Sequence, residues 1–502
     1  MDLRSPRPKI NFLSAESGIS QDLSKYVVSF QTQKHMNQLA GSFQIVMSPK
    51  FSGENNVSYY DALSFIYRNV FPMDLISFGM NENGSMMLGI VDNVTKSRTI
   101  MNNQVGRSIV IRGRDFGKML VEDNSFFAPA NNGAFLELIK KKLVEYKIVS
   151  GDQKLYQHPL ANLFNQNRAP VGAGDSNIGN LSATFFTRNV KEAIEWVLKS
   201  LTSLRINVYY DGRKDVPVFE LLDTKIEYRE GDQIATDQHN SYNGSIGNLL
   251  YNLIDRDFYE LFIETWQGKA RFIVRPKPYD RTNDKVAGLN GQLINIEKED
   301  KWVWDSTFNI FDGKEYKEIS EQDIINIGLG VSDYETFSVY LHNARSSLVG
   351  HNFEQAGMFF PSIDFYALKR FGLKVLKTDT NLIPMSLDTD GKIKEQDKIE
   401  NRICAHRDRL WNWNRYNSIL ESGSVSIRGN EFVKLGDKIK LKDEIAKNGG
   451  RGILAYCVGY SHRWQWGTPF ITTINLIRGE NEKLLNSFKE KTNDMIIRAK
   501  TE

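Results

Sequence analysis

Two stretches of the same kind, one near each end of the chain, limit what it can fold into. The later one, from Tyr416 to Gly479, passes through Val425–Gly429, Lys434–Leu441, a Gly449 and Gly450 loop, Tyr456–Trp464 and Phe470–Gly479. These runs are rich in β-branched and aromatic residues and are separated by Gly, Asp and Asn, the pattern of strands and tight turns. In the third run, Tyr456, Val458, Tyr460, His462, Trp464 and Trp466 fall on one face, because strand side chains alternate. A small antiparallel barrel or curved sheet is the economical reading.

The earlier stretch repeats that order. Asp74–Phe78, a polar loop with Asn83 and Gly84, Leu88–Val94 and Ser108–Gly113 match Asp437–Leu441, the glycine loop, Cys457–Tyr460 and Asn475–Gly479. Spacing is similar, and both stretches end on Ile-Arg-Gly. Two copies of one β module are expected.

Composition excludes more than it selects. At 502 residues the chain has room for three or four domains of about 150 residues each. A net charge of +3 gives no reason to expect a nucleic-acid or other polyanion partner. Cys404 and Cys457 are the two cysteines, so neither a disulfide framework nor a cysteine metal site is implied, which suits assembly in a reducing cytoplasm. No apolar run approaches the roughly 18 residues of a membrane span, and the N-terminus lacks a signal-peptide core. A soluble protein that is not exported by a cleaved signal is expected, with no membrane insertion.

The expected fold class is α+β, mainly β: two similar tube-like antiparallel β-barrel modules with α+β insertion domains. An N-terminal arm and the first module occupy residues 1–124, with Asp115 as N-cap of a short helix through Val121. Residues 125–240 read as an α+β insertion, with helices at 134–144 and 190–203 around a long polar loop at 150–180. Residues 241–345 hold a strong hairpin signal, Tyr259–Thr265 and Ala270–Arg275 about a Gln267 and Gly268 turn. Residues 346–414 are mixed and helical, with a helix at Asp364–Gly372 ended by its glycine and another at Asn401–Trp413. Residues 415–502 carry the second module and a polar C-terminal helix.

Chemistry is met mostly by elimination. The chain has no Walker-type phosphate loop, no dinucleotide fingerprint and no histidine pair at metal-ligand spacing. No catalytic residue, cofactor or metal is expected. Asp255 and Asp257 beside Glu260 and Glu264 offer paired carboxylates of the glycosidase kind, but acidic clusters are common in a chain with 61 acidic residues. Ser461 and His462 are neighbours on a strand and so face opposite ways. Trp411, Trp413, Tyr416, Trp464 and Trp466 could stack sugars or bases. Without a basic groove they read as core or interface, and a glycan-binding or glycan-cleaving protein stays as the reading from another class.

The order of these signals resembles the baseplate hub proteins of contractile phage tails and related injection machines, including the late-control protein family and the hub part of type VI secretion spikes. The resemblance is carried by Gly106–Gly117, the Tyr259–Pro278 hairpin with its Arg-Pro-Lys-Pro ending, Ser332 and Asp333, Tyr366–Gly372, Lys434–Leu441 and Tyr456–Gly479. It implies a homotrimer whose six tube-like modules form a ring between a six-fold tail tube and a three-fold spike, with a discontinuous second barrel that combines strands near Phe337–Leu341 with Ser424–Gly479. Implied partners are a central spike protein on a separate chain, the tail tube protein or its initiator, the tape measure protein and baseplate wedge proteins. The implied place is the virion tail baseplate, assembled in the host cytoplasm; a type VI-like or extracellular injection system is the close alternative. Phe78, Asp92 and Arg112 in the first module and Tyr460, Trp464 and Arg478 in the second are the residues expected at contacts between modules.

Overall fold

The computed structural model of the chain describes residues 7–14, 20–48, 66–80, 86–101, 104–122, 220–221, 245, 247, 251, 256–266, 268–277, 285–287, 293–295, 314–344, 361–380, 396–442 and 452–480. The expected helices at 134–144 and 190–203, the polar loop at 150–180, Asp255 and the C-terminal helix lie outside them.

The strands are β1 (Lys9–Leu13), β2 (Ser20–Asp22), β3 (Val27–His35), β4 (Ser42–Met47), β5 (Leu75–Gly79), β6 (Met87–Met101), β7 (Gln104–Asp115), β8 (Glu220–Leu221), β9 (Tyr259–Trp266), β10 (Lys269–Pro276), β11 (Lys285–Ala287) and β12 (Leu293–Asn295). They continue with β13 (Lys317–Ile319), β14 (Ile324–Gly330), β15 (Val339–Ala344), β16 (Ser362–Ile363), β17 (Val375–Thr380), β18 (Glu421–Arg428), β19 (Lys438–Leu441), β20 (Ile453–Gln465) and β21 (Ile471–Glu480). Three helices are used below: α1 (Gly117–Glu122), α2 (Phe365–Phe371) and α3 (Gln396–Asn414). Asp364 caps α2 through the Ala367 N–H at 2.8 Å, and Gly372 ends it at φ 79°. The fold is mainly β, a curled, largely antiparallel sheet with few helices.

Thirteen strands form one sheet in the order β14-β18-β21-β20-β3-β4-β7-β6-β5-β1-β2, with β19 beside β20 and β13 beside β19. The segment β3-β4-β7-β6-β5 and the segment β14-β18-β21-β20-β19 are the same strand arrangement twice. A single 3-10 turn leads into each, at Ser24–Tyr26 and at Glu321–Asp323. The first strands bulge at the same rung, Val27/Ser29 and Ile324/Asn326, and so do β6 at Val91/Asn93 and β20 at Cys457/Gly459. Bulges fix where a twisted strand bends, so their coincidence marks shared geometry rather than shared composition.

The turns before β5 and β19 agree bond for bond. The carboxylate of Asp74 accepts the Phe71 N–H at 2.7 Å, and that of Asp437 accepts the Lys434 N–H at 2.8 Å. Met73 at φ 81° and Gly436 at φ 79° occupy the same left-handed position. Their N–H groups donate to the carbonyls of Val91 and Cys457, both at 2.9 Å. The inward residues correspond too: Ile45 and Val425, Met47 and Ile427, Ile76 and Ile439, Ile111 and Ile474 are all buried. At their margins the copies diverge, for β1 pairs antiparallel with β5 whereas β13 pairs parallel with β19.

Three sequence expectations change. The two Ile-Arg-Gly triplets are not equivalent: the rungs pair Arg112 with Asn93 and Asn475 with Gly459, so Arg112 corresponds to Asn475. Residues 337–341 do not complete the second module. β14 and β13 do, while β15 joins β16 and β17 in a separate sheet. Along β20 the bulge breaks the alternation, so Tyr460, His462 and Trp464 stay buried and Val458 slips to a half-buried position; Trp466 lies beyond the strand and is exposed.

The modules are joined through β20. One of its edges pairs with β19 over Ile453–Tyr456 and then with β3 over Gly459–Gln465. One strand therefore belongs to both modules. Trp464 and Phe470 sit in the hydrophobic core of the first module, and Phe30 packs on both rings.

Candidate functional site at the module junction

The β9–β10 hairpin packs under this seam, with Phe262 and Ile273 in the core of the second module and Ala270 against Leu88 and Phe116 of the first. Glu260 and Glu264 stand four apart on β9 and so share a face. The Tyr460 hydroxyl lies 3.0 and 3.1 Å from the two Glu264 carboxylate oxygens, and the Tyr456 hydroxyl donates to Glu260. Neighbouring side chains of the hairpin bond one module each. Glu264 accepts the Leu435 N–H at 3.0 Å, and the Thr265 hydroxyl accepts the Leu88 N–H at 2.9 Å.

Four charges are buried here. The Lys34 ammonium, on β3, lies 3.1 Å from Asp115, 3.6 Å from Glu264 and 3.1 Å from the Ile263 carbonyl. Lys434 lies 3.9 Å from Glu264. Asp115 also accepts the Gly117 N–H at 2.9 Å where α1 begins, close to its expected capping role. Burial works against the charge on Lys34, but Glu264 and Asp115 outweigh it and its pKa lies above the ordinary value. Burial raises Asp115, against the pull of Lys34. The partners thus shift in senses that disagree about the proton; three acceptors around one ammonium favour a charged lysine. Lys434, with Glu264 shared and with Lys34 and Lys317 nearby, is pushed down to about 8, chiefly by burial.

The residues expected at module contacts divide. Tyr460 and Trp464 lie at the seam, Tyr460 on Glu264 and Trp464 stacked on Phe30 at 6.1 Å between ring centroids. Phe78 packs in the first module's core against Phe43 at 4.9 Å. Asp92 pairs with Arg114 at 2.8 Å and Lys118 at 2.7 Å, also within that module. Arg112 bonds Gln44 at 2.9 Å on the exposed face. The Arg478 guanidinium holds the Trp413 carbonyl at 2.6 Å, tying β21 to the end of α3. Lys34, Asp115 and Lys434 escaped the sequence reading, since isolated charges far apart in sequence carry no local sign that they will be buried together.

The described groups weighed for chemistry have structural partners. Glu260 and Glu264 are occupied by tyrosines and backbone as above. His462 is fully buried, 2.9 Å from the Thr472 hydroxyl, and burial, helped by Lys434 and Lys34, lowers its pKa to about 3, so the ring is neutral. The tryptophans form no single platform: Trp411 donates to Asp364, Trp413 packs on Phe258, and Trp464 lies in the other module's core. Among the described residues no cluster of His, Cys, Asp and Glu could hold a metal ion, and no helix is long and apolar enough to cross a membrane.

No protein-family model matches the chain, and no curated protein matches it in sequence. Solved structures do match in fold. A tail protein from Neisseria meningitidis covers 94% of this chain and 96% of its own, at 8% identity and a TM-score of 0.46. The 43 kDa tail protein of prophage MuSo2 from Shewanella oneidensis covers 94% and 98%, at 11% identity and 0.45. An E. coli component of the type VI secretion system covers 91% and 74%, at 10% identity and 0.37. The likeness is one of fold.

Proposed function

We propose that this chain is a structural hub of a contractile phage tail: three copies close a ring of six equivalent modules that adapts a six-fold tail tube to a three-fold central spike. The observation that carries this reading is the doubled five-strand unit, fused edge to edge through β20 into one sheet whose β14 edge is covered by no strand among the described residues. A chain with two equivalent modules turns a three-fold assembly into a pseudo-six-fold one, the use for which internal duplication and cyclic symmetry combine. The buried ionic seam supports it as well, because a hub must transmit load between modules, and charged groups locked by several partners each fix one relative arrangement. On this reading the role is mechanical, without catalysis. The partners are itself, the spike, the tube protein or its initiator, the tape measure protein and wedge proteins, and the place is the tail baseplate after assembly in the host cytoplasm. The same geometry would serve a secretion or extracellular injection machine, which the neighbouring genes would distinguish.

Light scattering across a concentration series tests the proposal. Three times the chain mass, with a torus of pseudo-six-fold outline in negative stain, is the expected result. A dimer at every concentration would leave the two modules without a symmetry role and would end the hub reading.

A further inference from the structure

The seam inside the chain is a template for a seam between chains. β3 pairs with the outer edge of β20, rung by rung from Gly459 opposite His35 to Gln465 opposite Ser29. The counterpart of β3 in the second module is β14, and the counterpart of β20 in the first is β6. Among the described residues, no strand pairs with the free side of β14 or with the edge of β6 over residues 93–98. Each free edge also lacks the burial of its twin. Phe30 and Thr32 on β3 are 2% and 1% exposed, whereas their counterparts Ile327 and Leu329 are only partly buried. Tyr460, His462 and Trp464 on β20 are buried, whereas Val94 is partly buried and Lys96 and Arg98 are exposed. Val331, just past β14, is 57% exposed where its counterpart Lys34 is enclosed. Long unpaired edges of this kind invite strand addition.

We infer that β14 of one copy pairs antiparallel with the outer edge of β6 in a second copy, in the register Asn93 opposite Ser332, Val94 opposite Val331, Lys96 opposite Leu329 and Arg98 opposite Ile327. This rests on the ring reading above and names the surface that closes it. The register follows from the shared bulges, which align Val91 with Cys457 and Ile324 with Val27. The pairs fit chemically. Val94 meets Val331, and the aliphatic stems of Lys96, whose ammonium sits over the Tyr67 ring, and of Arg98 cover Leu329 and Ile327. Where the internal seam sets Gly459 against His35, the external one sets Asn93 against Ser332, two mid-sized residues in place of one small and one large. The contact is head to tail, so it propagates from copy to copy until a ring closes.

The template also says which positions a disulfide can bridge. Along the internal seam the Met36 and Trp466 N–H groups donate to the Val458 and Val28 carbonyls, both at 2.8 Å. That phase makes Arg463 and Gln31 a non-hydrogen-bonded pair, the kind whose side chains approach most closely. Their counterparts are Ser97 and Gly328. A side chain at Gly328 has room, its nearest neighbour being the Ser424 carbonyl oxygen at 3.9 Å. Cys404 and Cys457 are buried and do not compete.

The test is the double variant Ser97→Cys, Gly328→Cys in the full chain, oxidised mildly and run on a non-reducing denaturing gel beside Ser97→Cys, Leu329→Cys, which is one residue out of register. The in-register variant should convert most of the chain to covalent oligomers ending in a trimer band, lost on reduction, while the shifted variant stays monomeric on the gel. Oligomers in light scattering without crosslinking in register, or with crosslinking of the shifted pair, would overturn this register and leave the ring reading standing. A protein that is monomeric at every concentration would overturn both.

Discussion

The two modules solve one packing problem in two ways. In the first, Phe43 on β4 lies over Gly89 and Gly113; a Cβ at Gly89 would come within 2.4 Å of the Phe43 ring, and one at Gly113 within 2.5 Å. In the second, the counterpart of Phe43 is Gly423, and those of Gly89 and Gly113 are Ala455 and Leu476. The same space is filled from one strand in one module and from its neighbours in the other. Volume summed across the sheet is what the fold requires, and which strand supplies it is free to drift.

The edges differ more deeply than the cores. In the first module β3 is sealed by β20, and its Lys34 drops into a cage of carboxylates. In the second, no strand among the described residues covers the outer side of β14, and the corresponding Val331 is exposed. A buried cation thus marks the closed seam and an apolar residue the open one.

The largest effect should come from Glu264→Leu, which removes the acceptor shared by Lys34, Lys434, Tyr460 and the Leu435 N–H. Leaving two buried lysines short of a partner is expected to cost about 3–5 kcal/mol, read as a lower denaturant midpoint. A loss below about 1 kcal/mol would mean that the seam does not depend on its charges. His462 comes next. Its folded pKa of about 3 lies below the ordinary 6.5, so the folded state binds fewer protons between those values. Stability is then full above about pH 6.5 and falls as pH drops towards 3, by up to about 1.4 kcal/mol per pH unit. His462→Gln should flatten that part of the stability–pH curve, while the counterpart change Lys96→Gln on the open edge should leave its shape alone.

Gly89→Ala should cost about 1–3 kcal/mol by overpacking the Phe43 ring, and Phe43→Leu should recover part of that in a double-mutant cycle. Ala455→Gly in the second module, where no such ring presses, should cost less. Purely additive effects would show that the ring and the glycine do not share the space. The smallest change is expected from Asp92→Asn. Arg114 and Lys118 hold this half-exposed carboxylate below its ordinary pKa, yet solvent screens the cluster and the loss should stay within about 1 kcal/mol at neutral pH.

Much of this comparison is legible in the sequence. Asp74 and Asp437 announce the repeated turn, and the strands that follow them stand out by composition and punctuation. The error at Ile-Arg-Gly is instructive. Leu476 stands as many positions after Asp437 as Gly113 does after Asp74, so spacing held the register while a shared triplet at a strand end did not. Arg478, at φ 55°, has already left the regular ladder. The second module's first strand was missed because β14, with Asn326, Gly328 and Gly330, lacks the apolar density that a sealed edge imposes. The junction charges were unreadable for another reason. Lys34 and Glu264 stand 230 positions apart and become partners only when their strands close over one another.

The shared strand also has a history in time. The strand that covers the outer edge of β3 is synthesised more than four hundred residues after it. Until then the first module has its core incomplete, lacking Trp464 and Phe470, and an open flank on which a neighbouring nascent chain could settle instead. Sealing is therefore among the last events of folding, and a chain cut short before residue 453 would carry its exposed flank permanently. Such a fragment is expected to stick to others of its kind, so the seam doubles as a check that both modules have been made.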